Sequence, residues 1–162
     1  MMKFVKLFFL VGIMVLGGCA ASGPVFVKPE SVPAEKSLVY FYREMGFVAS
    51  AVCFTIFIDG REIGCLKVGG YLRAEVDPGE SIIVASYKDG DERVQPLSLQ
   101  KNFQQGEVYY YEYVSTLYSV GDMDGGVSRN EYTIPVMPFS NGLIPRTESE
   151  ALQEVSKLKE SI

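Results

Sequence analysis

Short β-rich runs separated by turn residues dominate the chain from residue 37 onward, and they constrain its fold more than any other feature. Turn signals stand at Asp59-Gly60, Gly69-Gly70 and Asp77-Pro78-Gly79-Glu80. The runs between them are rich in β-branched and aromatic residues, which favour strands. Turn signals at intervals of about 8–12 residues are typical of a sandwich or barrel, so the sequence predicts an antiparallel β-sandwich of about seven strands.

Two of the predicted strands have an expected place in a sheet. The run 38–42 is apolar and aromatic throughout, so it is expected to be a central strand. Pro96 cannot donate to a ladder, so the run 94–99 is expected at an edge. The predicted strands are 38–42, 52–58, 61–66, 71–76, 81–86, 94–99, 107–116 and a short last strand at 132–136.

The C-terminal segment changes its pattern and predicts one helix over residues 148–160. Thr147 and Glu150 have the spacing of a capping box. Apolar residues then recur at helical spacing, at Ala151, Leu152, Val155 and Leu158. We expect this helix to cover an apolar face of the sandwich.

The N-terminus has the pattern of an export signal. Lys3 and Lys6 form a short positive region, and residues 7–16 carry no charge. This uncharged run is too short to span about 30 Å of hydrocarbon as a helix. A buried core helix or a short membrane anchor would be the other interpretation of such a run.

Four residues end this segment: Leu16, Gly17, Gly18 and Cys19. They resemble a bacterial lipobox, the site that signal peptidase II recognises. The resemblance implies cleavage after Gly18 and attachment of a diacylglycerol to Cys19. It divides the chain into a signal peptide, 1–18, a lipidated N-terminus with a flexible tether, 19–36, and a domain, 37–162. An ordinary cleaved signal peptide is the alternative.

The residues after the lipobox bear on location. Ala20 follows Cys19 in place of Asp, which in enterobacterial-type sorting implies delivery to the outer membrane, facing the periplasm. Two or three acyl chains anchor a protein stably, so the membrane is an expected partner through acylated Cys19. Pro24, Pro29 and Pro33, together with small residues, favour an extended, solvated tether.

Composition excludes several classes of function. The chain contains no His, so a His-based triad, a His metal ligand and a His general base are impossible. Its formal charge of −5 and sequence pI near 4.8 lack the basic footprint of a nucleic-acid binder. No catalytic residue and no cofactor site can be assigned, so we expect a protein that is not an enzyme.

One charged loop is a candidate for metal binding. It carries Asp122, Asp124, Arg129 and Glu131. Carboxylate oxygens suit Ca²⁺, but the spacing lacks the Gly and the terminal Glu of an EF-hand loop. We therefore expect a solvated loop without a metal.

Cys53 and Cys65 flank the Asp59-Gly60 turn, and the hairpin register decides whether they form a disulfide. A two-residue loop pairs Ile56 with Ile63 and places the two Cys on opposite faces. A three-residue loop places Cys53 directly opposite Cys65. A slip of one residue reverses every side chain, and the first register keeps the apolar face intact. The pattern therefore favours two buried free thiols, with the disulfide as the alternative.

Four tyrosines of one predicted strand are the candidate ligand or partner surface: Tyr109, Tyr110, Tyr111 and Tyr113. Such rings fit a sandwich core, or stack on sugar rings where they are exposed. Two functions follow: a non-enzymatic envelope protein that binds a protein partner or supports envelope assembly, and a lipid-anchored glycan-binding module. A flat apolar patch on one sheet favours the first, and an exposed Tyr groove favours the second.

Several short motifs follow one another along the chain: VYFYR at 39–43, FIDG at 57–60 with IG at 63–64, GGY at 69–71, DPGE at 77–80, and Gly106 with VYY at 108–110. Together they resemble the lipoprotein family known as domain of unknown function 2846, over residues 37–115 and more loosely over the last helix. The hairpin is also similar to PEGA-type modules, which are small envelope β-domains. The resemblance implies the fold and an envelope location, while the family brings no established activity. Cys53 and Cys65 are not expected from the family pattern.

Overall fold

The computed structural model describes residues 20–46, 49–87, 96–117 and 139–162. The predicted signal peptide with Cys19, the charged loop 122–131 and the predicted strand 132–136 lie outside the described residues. The described strands and helix are β1 (Ser37–Arg43), β2 (Phe54–Ile58), β3 (Arg61–Leu66), β4 (Gly70–Val76), β5 (Gly79–Tyr87), β6 (Leu97–Phe103), β7 (Val108–Leu117), β8 (Phe139–Arg146), α1 (Glu148–Val155) and β9 (Lys159–Glu160).

These strands form two sheets, which confirms the predicted mainly-β sandwich with one helix near the C-terminus. The five-stranded sheet has the order β8-β7-β1-β4-β9, and the four-stranded sheet has the order β3-β2-β5-β6. The buried core between them includes Val39 and Phe41 of β1, Phe54 and Ile56 of β2, and Ile83 of β5. Inward and outward residues alternate along these strands, as the pleat of a strand requires.

β1 is the central strand of the larger sheet, as its apolar sequence predicts. All seven of its residues are buried. It pairs antiparallel with β4 but parallel with β7, so the sheet is mixed rather than wholly antiparallel. Parallel neighbours need a long crossover connection, and strands β2 to β6 lie between β1 and β7 in the sequence.

The Asp59-Gly60 turn is the two-residue turn that the sequence predicts. Its residues have positive φ angles of 51° and 77°, as a type I′ turn requires. Ile58 pairs with Arg61 across it. The carboxylate of Asp59 also accepts a hydrogen bond from the Ile82 amide at 2.8 Å, which ties the turn to β5.

A β-bulge overturns the predicted register beyond this turn. Ile63 is an extra residue in β3, so Ile56 pairs with Gly64 rather than with Ile63. Every later residue of β3 therefore changes face. Cys53 and Cys65 come to the same face and form a disulfide, with their Cα atoms 5.5 Å apart. The prediction of two free thiols is wrong because it assumed a regular ladder.

Gly64 allows this bulge to pack against the core. Its φ of 155° lies in a region that residues with a side chain rarely adopt. A Cβ atom at this position would also stand only 2.9 Å from Cδ2 of Leu72. The bulge therefore needs a glycine both for its backbone conformation and for its contact with β4.

Helix α1 begins as predicted but ends at Val155 instead of residue 160. The Thr147 hydroxyl accepts from the Glu150 amide at 3.4 Å, and the Glu150 carboxylate accepts from the Thr147 amide at 3.0 Å, which confirms the capping box. Lys159–Glu160 then extends and pairs in parallel with β4 as β9. Pairing with the open edge of β4 takes the place of the last helical turn.

The two edge strands β6 and β8 differ in how well the sequence predicts them. β6 lies at the edge of its sheet, as Pro96 indicates, and begins directly after that residue. β8 was not predicted, because Gly142 and Pro145 are typical of loops. It pairs antiparallel with β7 at the edge of the larger sheet, where a proline is tolerated.

Candidate functional site

The predicted tyrosine surface lies mostly inside the protein. Tyr110, Tyr111 and Tyr113 are buried, and burial raises the pKa of Tyr110 and Tyr111 to about 12. Tyr109 is half-buried, and its hydroxyl accepts from the Gln104 amide at 2.9 Å. Three of the four rings therefore cannot stack on a sugar from solvent, and they take the core positions that the sequence also allowed.

The central part of the outer surface of the five-stranded sheet is buried under a second layer, and we call it the covered face. It consists of Leu38, Tyr40, Tyr42, Tyr71 and Tyr110. Ala151 and Val155 of α1 pack on these residues, as does Phe26 from the N-terminal segment. The rings of Tyr40 and Tyr110 stack with centroids 5.4 Å apart. This layer confirms that the helix covers an apolar face.

A shallow cleft of about 180 Å³ opens where β1 ends, and acidic groups surround it. Glu44 and Glu112 line it, and partial desolvation raises the pKa of the Glu44 carboxyl. The carboxylates of Glu154 and Glu112 raise that pKa further. Arg43, also in the lining, is held by the carbonyl oxygens of Val52 at 2.7 Å and Ala49 at 2.8 Å. The cleft therefore holds an arginine with a structural role.

The outer surface of the four-stranded sheet has an apolar centre, and we call it the open face. Phe57 on β2 pairs with Val84 on β5, and Ile82 lies on the same side of β5. Phe57 and Val84 are half-buried, and Ile82 is 50% exposed. Within the part of the chain that the structure describes, none of the three belongs to a buried cluster.

Polar side chains surround this apolar centre. The residues that pair with it or lie beside it are exposed, namely Glu62, Glu80, Ser98, Gln100 and Asn102. An apolar centre within a polar rim is the composition of a protein–protein interface. The sequence carries a signal for this surface, because Ile82-Ile83-Val84 is apolar on both faces of one strand. An exposed strand normally alternates apolar with polar residues.

The Cys53–Cys65 disulfide borders the open face. Thr55 on β2 lies between Phe57 and Cys53, the residue just before the strand. It pairs with Cys65 and is buried although it points outward. Its hydroxyl contacts the Cys65 sulfur at 3.9 Å. The bulge therefore fixes both the disulfide and one margin of this surface.

The N-terminal segment lies against the domain rather than forming the predicted solvated tether. Ala20 pairs with Val68, and Val25 pairs with Lys159 of β9. Phe26 is buried on the covered face. The prolines and small residues of this segment do not predict that it packs on the domain. The one residue that indicates packing is Phe26, an aromatic side chain within a stretch that otherwise has the composition of a linker.

The remaining candidate sites are metal ligands and membrane spans, which can be judged only within the residues that the structure describes. Among the described residues there is no group of three or more Cys, Asp or Glu side chains placed to hold a metal ion. Within the same residues, no helix is long and apolar enough to cross a membrane. Asp122, Asp124, Arg129 and Glu131 lie outside the described residues, as do Leu16, Gly17, Gly18 and Cys19.

Comparison with known proteins adds one finding. A family model described as a protein of unknown function (DUF2846) matches residues 33–127, more than half of the chain. This range contains strands β1 to β7 and therefore both the open face and the disulfide. No curated protein matches the chain.

Proposed function

This chain belongs to the DUF2846 family of proteins of unknown function, and we propose that it is a lipid-anchored, non-enzymatic protein of the cell envelope that binds a protein partner. The partner docks on the open face. The lipobox at residues 16–19 supports the anchor, and Ala20 supports delivery to the outer membrane, facing the periplasm.

The disulfide supports an exported location. Cys53 and Cys65 are bonded, and disulfides persist in oxidising compartments such as the periplasm. This support comes from the chain's own residues and does not depend on the family resemblance.

The open face is the observation that carries the choice of a protein partner. Phe57, Ile82 and Val84 present apolar area within a polar rim on a sheet of four strands. The three side chains are neighbours on two paired strands, and contiguous apolar patches with a polar rim are the surfaces that bind protein partners. The glycan-binding alternative loses its basis, because Tyr110, Tyr111 and Tyr113 are buried.

Site-specific photo-crosslinking in intact envelopes tests the docking surface. A photoreactive residue at position 82 should give one discrete adduct, and the second substitution Phe57→Glu should abolish it. The same residue at exposed position 105, on the turn before β7, is the matched control. Identical adducts at both positions, or an adduct that survives Phe57→Glu, would contradict docking on the open face.

Intact-mass spectrometry tests the anchor separately. The mature chain should begin at Cys19 and carry the mass of its acyl groups, and Cys19→Ser should remove that mass. Density-gradient fractionation should place the wild type with the outer membrane and Ala20→Asp with the inner membrane. A mature wild-type chain without an acyl increment would overturn the lipid anchor.

A further inference from the structure

The segment that follows the predicted anchor is fixed to one end of the sandwich. Ala20 forms a β-bridge with Val68, and the Ala21 amide donates to the Val68 carbonyl at 3.2 Å. The Gly23 amide donates to the Glu160 carbonyl at 3.0 Å. The chain therefore contacts the domain at Ala20, the residue that directly follows Cys19, the predicted site of the anchor.

Side-chain packing holds the same segment. The Phe26 ring contacts Tyr40 and Tyr71 edge-on, with centroids 5.2 Å and 5.4 Å away. Its amide donates to the Leu158 carbonyl at 3.0 Å. Gly23 packs so closely on β9 that a Cβ atom there would stand 2.7 Å from the Glu160 carbonyl oxygen. Backbone pairing and a buried aromatic ring together fix the segment.

Exposed apolar side chains gather where this segment begins. Met45 is 72% exposed and lies against Gly69, next to Val68. Ile162 is 69% exposed and lies against Gly23. Lys67 donates a hydrogen bond from its ammonium group to the Ile162 carbonyl. We call this part of the surface, made of Ala20, Met45, Lys67, Gly69 and Ile162, the anchor end.

We propose that the anchor end rests on the membrane that carries the protein, with Met45 and Ile162 in the interfacial layer of a phospholipid bilayer. The proposal rests on the lipid anchor of the proposed function. A residue bonded to Ala20 has its Cα about 3.8 Å away. The headgroup layer is about 5–7 Å thick on each side of the bilayer. An acylated Cys19 therefore draws the anchor end into that layer.

The open face stays clear of the bilayer in this orientation. β3 runs from the Asp59-Gly60 turn to the anchor end, a length of about 20 Å for six residues. Ile82 is hydrogen-bonded to Asp59 and therefore lies at the far end of the sandwich. The partner surface then faces the aqueous side while the opposite end contacts lipid.

Single tryptophans measure this orientation, because the chain contains no Trp of its own. Met45→Trp and Ile162→Trp probe the anchor end, and Ile82→Trp is the matched control on the open face. The lipidated variants are placed in phosphatidylcholine vesicles with brominated acyl chains, which quench nearby indoles. The two anchor-end variants should lose most of their emission and shift to the blue, while Ile82→Trp keeps its emission. Equal quenching at positions 45 and 82, or none at 45 and 162, would overturn the proposal.

A longer linker between Cys19 and Ala20 tests whether the lipid contact of the anchor end depends on the short connection to the anchor. A Gly/Ser linker of about twelve residues between Cys19 and Ala20 has a root-mean-square length of about 20 Å. It should restore the emission of Met45→Trp while the protein stays on the vesicles. Quenching that persists with the linker would show that residues 20–26 do not set the orientation.

Chemical coupling keeps this test independent of acylation in the cell. With Cys53 and Cys65 bonded, Cys19 is the one free thiol of the three cysteines. A chain that begins at Cys19 and is produced without acylation can therefore be coupled through Cys19 to a maleimide phospholipid, and the same three Trp variants compared. Absence of an acyl mass in cells would count against the proposed function, whereas equal quenching in the coupled protein would count against the orientation.

Discussion

The covered face and the open face are the outer surfaces of two sheets in one sandwich, and they differ in what lies on them. The covered face consists of four tyrosine rings and Leu38, and α1 and Phe26 bury it. The open face has three apolar side chains within a polar rim. A sheet that is apolar on both sides needs a second layer, because apolar surface stabilises the fold only when it is removed from water. The open face leaves Ile82 50% exposed, and α1 does not cover it.

Matched truncations on the two faces should give the largest contrast. Leu38→Ala removes a fully buried side chain from the covered face and should lower the free energy of unfolding by about 2–5 kcal/mol. Ile82→Ala removes as many carbon atoms from the open face and should change it by less than about 0.5 kcal/mol. Urea denaturation measures both variants. Similar losses would mean that the two faces are equally buried and would break the comparison.

Removing the disulfide should weaken the sheet of the open face more than the other sheet. The double variant Cys53→Ala/Cys65→Ala opens a link between residues separated by 12 positions, and it should cost about 2–4 kcal/mol. Hydrogen exchange should speed up at the amides of β2 and β3 before those of β1 and β4. Wild-type protein treated with reductant is the control and should behave like the variant. Uniform acceleration across both sheets would contradict a local effect.

Removing the helix cap should loosen the layer on the covered face. Thr147→Ala deletes the hydroxyl that accepts from the Glu150 amide and should cost about 1 kcal/mol. Thr147→Ser keeps the hydroxyl and serves as the control. Thermal unfolding measures both variants. If Thr147→Ala is as stable as Thr147→Ser, the capping box does not contribute to holding α1 on the sheet.

The smallest effect should come from acidic groups at the margin of the covered face. Desolvation and the carboxylates of Glu154 and Glu112 raise the pKa of Glu44, so its ionised form disfavours the folded state. Glu44→Gln should therefore stabilise the protein at pH 7 by about 0.2–0.5 kcal/mol, an amount that solvent screening keeps low.

The gain from Glu44→Gln should vanish as the pH falls below the ordinary Glu pKa of about 4.3, because Glu44 is then neutral in both the folded and unfolded states. Unfolding curves at pH 7 and about pH 3, well below that pKa, check this sign. A gain that persists at the lower pH would exclude charge repulsion as its cause.

β1 and β6 show how much of this fold the sequence predicts. The unbroken apolar run 38–42 indicates burial on both faces, and β1 is buried throughout. Pro96 indicates an edge, and β6 lies at one. These predictions succeed because each depends on residues within one strand.

The failures concern contacts between distant segments. Ile63 looks like any inward-facing residue of a regular hairpin, and only Leu72 on another strand shows why Gly64 and the bulge are favoured. Likewise, Phe26 packs on Tyr71 of β4, and residues 159–160 pair with β4, although both segments are far from β4 in the sequence. For the candidate site, Ile82-Ile83-Val84 indicates an apolar outer surface, but the neighbouring Phe57 becomes visible only with the pairing of β2 and β5.

The bulge in β3 also bears on self-association. β3 is an edge strand of the four-stranded sheet, and a regular edge strand offers its free backbone groups to any similar strand that meets it. With Ile63 as an extra residue, the spacing of these groups along β3 is interrupted, and a second copy cannot pair along its full length. Two copies that meet along β3 therefore do not extend the four-stranded sheet into a continuous intermolecular sheet at that edge.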